Sequence, residues 1–142
     1  MPDHVLVPFD GSDLSVRALD HALSSFPDAA VTVLYVVDPI DLVYEAEAGG
    51  TGVAEEWFAA AREGADDVLD RAQARADEDD VTLSREVIVG AAGREIVRYT
   101  EDHDVDHVVL GSHGREGLSR VLLGSVAEYV VRRAAAPVTV VR

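Results

Sequence analysis

Lysine is missing from this chain: all 12 basic residues among its 142 are arginine, against 27 Asp and Glu, for a net charge of −15. So large an excess of negative charge repels phosphate backbones and anionic headgroups, which excludes nucleic acid and membrane surfaces as partners. Cysteine is absent as well. That removes any disulfide framework or thiolate metal site and fits a cytoplasmic location. The five histidines lack metal-ligand spacing, and a Gly-x4-Gly-Lys-Ser/Thr phosphate loop cannot be written without lysine. Gly-x-Gly-x-x-Gly is also missing, which argues against a nicotinamide or flavin site. No apolar run approaches the roughly 18 residues of a membrane span, and Met1-Pro2-Asp3 leads straight into an apolar segment, so no leader is expected. No nucleophile stands with a base and an orienting acid at a plausible strand end, so no catalytic residue is assigned and turnover is expected to be slow at most.

What is present alternates between strand and helix patterns. Residues 4–9 form a short apolar run ending in Asp10-Gly11-Ser12-Asp13, a turn carrying a helix N-cap, and Val16, Leu19, Leu23 and Phe26 then recur at helical spacing. Val31 to Val37 is continuously apolar, as in a parallel sheet covered on both faces. Residues 38–53 read as a long loop, and Gly49 to Gly52, which follows no strand, reads as a connection rather than a phosphate loop. From about Ala54 to Asp79 a long helix places Phe58, Ala61, Ala65, Val68, Leu69, Ala72 and Ala76 on one stripe, interrupted by Gly64. Strands over 82–89, 107–111 and 137–141 follow, separated by a helix ending near Asp102 and another with Ser125 expected as its cap. Five strands with intervening helices predict one α/β domain over residues 1–142, an open, doubly wound parallel sheet with helices on both faces.

The stretch after Val108 is the richest in chemistry. An apolar strand runs into Gly111-Ser112-His113-Gly114, and after nine intervening residues Gly124-Ser125 opens an amphipathic helix. Strand, glycine loop and helix start make an anion cradle, because glycines admit close approach and the free N–H groups point at the ligand. Residues 1–106 hold 7 Arg against 25 acids, whereas 107–142 hold 5 Arg against only Glu116 and Glu128. In a doubly wound sheet the ligand lies where the strand order reverses. If the first and fourth strands flank that point, Pro8-Phe9-Asp10 and Leu110-Gly111-Ser112 face one ligand. Asp10 has a purely local alternative as an Asx-turn residue, and His113 one as a surface histidine. Arg115, inside the loop, suits phosphate better than Arg120, while Arg132 and Arg133 suit the C-terminal dipole of their own helix.

Val7-Pro-Phe-Asp-Gly-Ser12, Gly111-x2-Gly114-x9-Gly124-Ser125 and the closing Ala136-Pro137-Val-Thr-Val-Val141 together resemble the universal stress protein family. The resemblance spans the chain. It implies strand order 3-2-1-4-5, a cytoplasmic stress-response role, and homodimers paired through the last strand at Val138, Thr139, Val140 and Val141. An intact glycine motif is similar to that of the ATP-binding members. The resemblance places Pro8 and Asp10 at the adenosine, the backbone of Val36 at adenine and Gly111, beside Leu110 and Ser112, at the ribose. Gly114, Arg115, Gly124, Ser125 and Val126 would hold phosphates, with His113 beside them. Mg2+ would arrive with the nucleotide, since the chain offers no metal site of its own. One departure is that Gly90-Ala91-Ala92 stands where the family often has Gly-x-Pro. Two readings stay open: a module that binds ATP, ADP or AMP and switches a surface read by an unknown protein partner, or a dimeric interaction protein of the same fold with an empty crevice.

The acidic, lysine-free composition also resembles that of proteins from salt-accumulating halophiles. If it is such an adaptation, the melting temperature rises as KCl goes from about 0.1 M, with a Debye length of about 10 Å, to about 1 M, where it is about 3 Å. A thermal melt that stays flat or falls across that range refutes the idea.

Overall fold

Three consecutive residues, Val5, Leu6 and Val7, have no exposed surface. Successive side chains of a strand point to opposite faces, so this strand requires cover on both sides. In the computed structural model, which describes residues 1–39, 53–113 and 123–142, it is β1 (His4–Pro8). It stands at the centre of a five-stranded parallel sheet with β2 (Ala30–Val37), β3 (Ser84–Val89), β4 (His107–Gly111) and β5 (Val138–Val141). The order is β3-β2-β1-β4-β5, as the resemblance implies. Four helices lie among the described residues: α1 (Asp13–Ser25), α2 (Val53–Asp77), α3 (Ala92–Asp102) and α4 (Ser125–Arg133). None of the described helices is long and apolar enough to cross a membrane.

The alternation of β1 divides the core in two. Val5, Val7 and Phe9 join Val31, Val33 and Val109 beneath α1 and α2, through Leu19, Leu23, Val68 and Leu69. Leu6 turns the other way and joins Leu34, Val108 and Leu110 beneath α3 and α4, through Ile96, Tyr99, Ala127 and Val130. The sheet is therefore doubly wound.

Element boundaries follow the sequence closely, and the departures have local causes. Helix α2 ends at Asp77 rather than Asp79. Asp80 takes a left-handed φ of 56°, and the N–H groups of Val81 and Asp80 donate to the carbonyls of Ala76 and Asp77, a Schellman closure. Gln73 secures the exit by donating to the Val81 carbonyl and accepting from the Leu83 N–H, so β3 starts at Ser84 instead of Thr82. The apolar stripe of α2 holds from Ala65 to Ala76, but Phe58 is 44% exposed and Trp57 is buried in its stead. A helix of 25 residues runs roughly 37 Å at about 1.5 Å per residue. The 8 residues of β2 span roughly 26 Å at about 3.3 Å each. Helix α2 is therefore longer than the strand it packs on, and its first turns do not follow the stripe that holds from Ala65 to Ala76. Most of the loop expected over 38–53 lies outside the described residues.

On the α1 side, His107 links β4 to β5: its Nε2 lies 2.7 Å from Thr139 Oγ1, and its ring packs against Phe26 with centroids 4.9 Å apart. Burial, and secondarily His21, lowers its pKa from the ordinary 6.5. The folded state thus disfavours the charged ring more than the unfolded chain does. The stability this contributes is fully present above about pH 6.5 and is lost as the pH falls through the lowered value. Denaturant unfolding should show the wild type losing stability relative to a His107→Gln variant between about pH 7 and about pH 5. A difference that stays constant over that range contradicts the assignment.

Candidate functional site

The connection β1–α1–β2 lies on one face of the sheet and β3–α3–β4 on the other, so a crevice opens beyond the C-terminal ends of β1 and β4. Its apolar walls come from Pro8, Leu34, Val36, Ile96, Leu110 and Val126, and its polar side from Asp10, Ser12, Ser15 and His113. The volume is about 160 Å³. That is below the roughly 300–1,000 Å³ of clefts that enclose whole drug-sized ligands, so the slot takes part of a ligand, such as a ring system.

The polar side is built by a tight exit from β1. Phe9 N–H still donates to the Leu34 carbonyl at 2.9 Å, and the chain then turns at Gly11 with φ 82°, a value that favours glycine. Asp10 accepts from the Ser12 N–H at 2.9 Å, the Asx turn foreseen as its local role. Ser12 caps α1, accepting from Ser15 N–H at 3.3 Å, and Ser15 Oγ donates to the Ser12 carbonyl at 2.8 Å. These short-range bonds hold the oxygen atoms of three side chains at one corner of the slot.

The glycine loop is organised by the protein's own backbone. Ser112 N–H donates to the Val141 carbonyl at 2.8 Å and its carbonyl accepts from Gly124 N–H at 2.6 Å, tying β4, β5 and the start of α4 together. A Cβ on Gly124 would stand 2.8 Å from the Ser112 oxygen, and one on Gly111 would stand 2.8 Å from Leu14 Cβ. Both glycines are therefore required by chain packing, a reason the sequence reading had given to ligand approach. Ser125 is not the cap of α4. Gly124 is the last extended residue, with φ −65° and ψ 158°, and Ser125 is already helical. No side chain caps α4, nor α3, where Ala91 holds the N-cap position. First-turn amides of both helices are left for water or a ligand.

Of the residues expected at a nucleotide, the crevice gathers Pro8, Asp10, Val36, Leu110, Gly111, His113 and Val126. Ser125 lines a neighbouring hollow of about 390 Å³ with Gly93, Arg94 and Tyr129, and Ala92 and Val126 border both spaces. Ser112 is buried and Gly124 is engaged with its carbonyl, so neither lines the slot. Gly114 and Arg115 lie outside the described residues. The sequence reading missed Ser12, Ser15, Leu34, Ala92, Ile96 and Arg94. Leu34 was within reach, since it shares a strand face with Val36 two residues on. Among the described residues no group of three or more His, Asp and Glu is arranged to hold a metal ion.

A model of the Universal stress protein family matches residues 1–142. The chain belongs to that family. A universal stress protein of Methanocaldococcus jannaschii is 36% identical over 140 residues, covering 97% of this chain and 81% of the relative. The structure of protein MJ0577 from the same organism gives a TM-score of 0.84 at 28% identity, covering 98% of this chain and 94% of that one. A universal stress protein solved in complex with cAMP gives 0.70 at 26% identity, covering 99% and 97%. This universal stress protein thus shares fold and sequence with a relative that holds an adenine nucleotide.

The packing of Gly111 has a measurable consequence. Alanine there would also press to 3.2 Å on the Leu14 carbonyl carbon, which cannot move independently of α1. Gly111→Ala should lower unfolding stability by about 1–3 kcal/mol, the usual cost of overpacking. A denaturation curve superimposable on the wild type shows the loop to be looser than described.

Proposed function

We propose that this universal stress protein binds an adenine nucleotide, its ring in the slot between Val36, Ile96 and Leu110 and its phosphates toward the starts of α3 and α4. One observation carries the reading: a ring-sized apolar slot adjoins, across Ala92 and Val126, a hollow bordered by two helix starts without side-chain caps. Helix N-termini favour anions through their free N–H groups and dipole. Ser125 and Arg94 add a hydroxyl and a guanidinium at the same place. The relative crystallised with cAMP supports the ligand class. ATP, ADP or AMP would fit this division, with Mg2+ arriving on the phosphates, and Gly114, Arg115 and Gly124 remain the expected contributors from the glycine motif.

The role that follows is a cytoplasmic binding module, with turnover at most slow. Binding changes the chain's behaviour only through differential affinity for two states. Dimer formation belongs to the same proposal. β5 is a sheet edge, and pairing Val138 to Val141 with a second copy would satisfy its outward row of backbone groups.

Glycine substitutions are poor probes here because they strain the fold. Ala92→Leu is better: position 92 opens α3, where leucine is a good helix former, and the added carbons project into the slot. Calorimetry should show the wild type binding ATP with micromolar affinity, and an equally stable Ala92→Leu variant binding at least about tenfold more weakly, a loss of about 1.4 kcal/mol. No binding by a folded wild type would favour the interaction protein with an empty crevice. Equal binding by the variant would place the ligand elsewhere.

A further inference from the structure

On the other side of His113 lies a second, larger cavity, of about 580 Å³, where the start of α1 meets the end of β5. Asp13, Leu14, Arg17, Ser112, His113 and Arg142 line it. His113 borders this cavity and the ring slot alike.

The arginines set it apart. Among the described residues, Arg75 pairs with Asp20, Arg85 with Asp70, Arg98 with Glu95 and Arg132 with Glu128. Arg133 lies over the Tyr129 ring. Arg17, Arg62, Arg71 and Arg142 form no ion pair with a described carboxylate, in a chain where acids outnumber arginines by 27 to 12, and of these four Arg17 and Arg142 line this cavity. Asp13 stands four residues before Arg17, a spacing suited to a helical ion pair, yet none forms. Its charge is accommodated instead by the N-terminal turn of α1. Two guanidiniums therefore line one concave space together with the Asp13 carboxylate, and neither is paired with it.

We propose that this cavity is a phosphoryl-binding site, with Arg17 and Arg142 as its cationic ligands and His113 as the wall between it and the ring slot. Guanidinium groups match a phosphate's oxygens with forked, charge-assisted hydrogen bonds. The phosphoryl group is either free phosphate or the tail of a nucleotide in the slot that turns past His113 instead of toward the starts of α3 and α4. The site stands whether or not the slot takes a nucleotide, because inorganic phosphate alone reports on it.

The test is a titration of the full chain with inorganic phosphate, followed by calorimetry and by the arginine side-chain NMR signals. KCl is kept at the lowest concentration that keeps the protein folded, since salt screens the contact. Wild type should bind phosphate and shift the Arg17 and Arg142 signals. Arg17→Gln and Arg142→Gln should each weaken phosphate at least about tenfold, with melting temperature and adenosine affinity unchanged. Competition between ATP and phosphate, with ATP but not adenosine weakened in the variants, would identify the site with a nucleotide tail. Independent binding of the two would identify a separate anion site. Absence of phosphate binding by the wild type, or variants that bind it as well as the wild type, overturns the proposal. If adenosine fails to bind while phosphate binding behaves as described, the nucleotide reading falls and this one stands.

Discussion

The structure depends on β1 being buried from both sides. Its three central residues have no exposed surface, and they send side chains alternately into two separate cores. Burying an aliphatic side chain of this size contributes about 1.5–3 kcal/mol, and the gain exists only if helices cover both faces. That condition forces the crossovers to diverge, with α1 and α2 on one side and α3 and α4 on the other. The divergence is what opens the crevice between the ends of β1 and β4. Site and core are therefore consequences of the same constraint.

The loop that borders the crevice shows how fold and recognition share residues. Gly111 and Gly124 are needed because backbone or side chain stands within 2.8 Å of where a Cβ would lie. Their conformation lets Ser112 join β5 to α4 through its own amide and carbonyl. With those groups committed, the first-turn amides of α3 and α4 remain, among the described residues, as main-chain donors that an anion could meet beside the crevice. What a ligand would meet is thus the remainder of a structural network, set in place before any ligand arrives.

Much of this was legible in the amino-acid order because strands and helices here obey their own periods. The five strands, the start of α1 at Asp13 and, once β1 and β4 are taken to flank the switch point, the gathering of Pro8, Asp10 and Gly111 follow from apolar runs, turn residues and the switch-point rule, whereas Val36 came from the family resemblance alone. Strand order needed the family resemblance, since periodicity does not say which strands are neighbours. The misses share a cause: each depended on an element's neighbour in space. Phe58 fits the stripe of α2 but is exposed, and its neighbour Trp57 is buried instead. Ser125 has the chemistry of a cap, yet the helix starts one residue earlier than that role requires: Gly124, whose N–H is tied to the Ser112 carbonyl, is the last extended residue and Ser125 is already helical. Ile96 and Ala92 reach the slot because α3 begins at the same end of the sheet as β1 terminates, which a linear reading does not display.

Charge was legible only in outline. The arginine-rich segment after residue 106 suggested cations gathered around a ligand, but Arg132 is held by Glu128 and Arg133 by Tyr129 on the outer surface of α4. Among the described arginines of that segment, Arg142 lines the cavity beside His113 while Arg132 and Arg133 do not, and its companion Arg17 comes from the acidic part of the chain. Counting charges along a sequence averages over faces that the fold separates. It also weights all cations equally, although an exposed guanidinium is weakened by salt within about 10 Å at 0.1 M, whereas a helix-start amide is a fixed dipole that contacts its ligand directly. For a chain of −15 charge, anion recognition built first on amides and only then on arginine would be the less sensitive to salt.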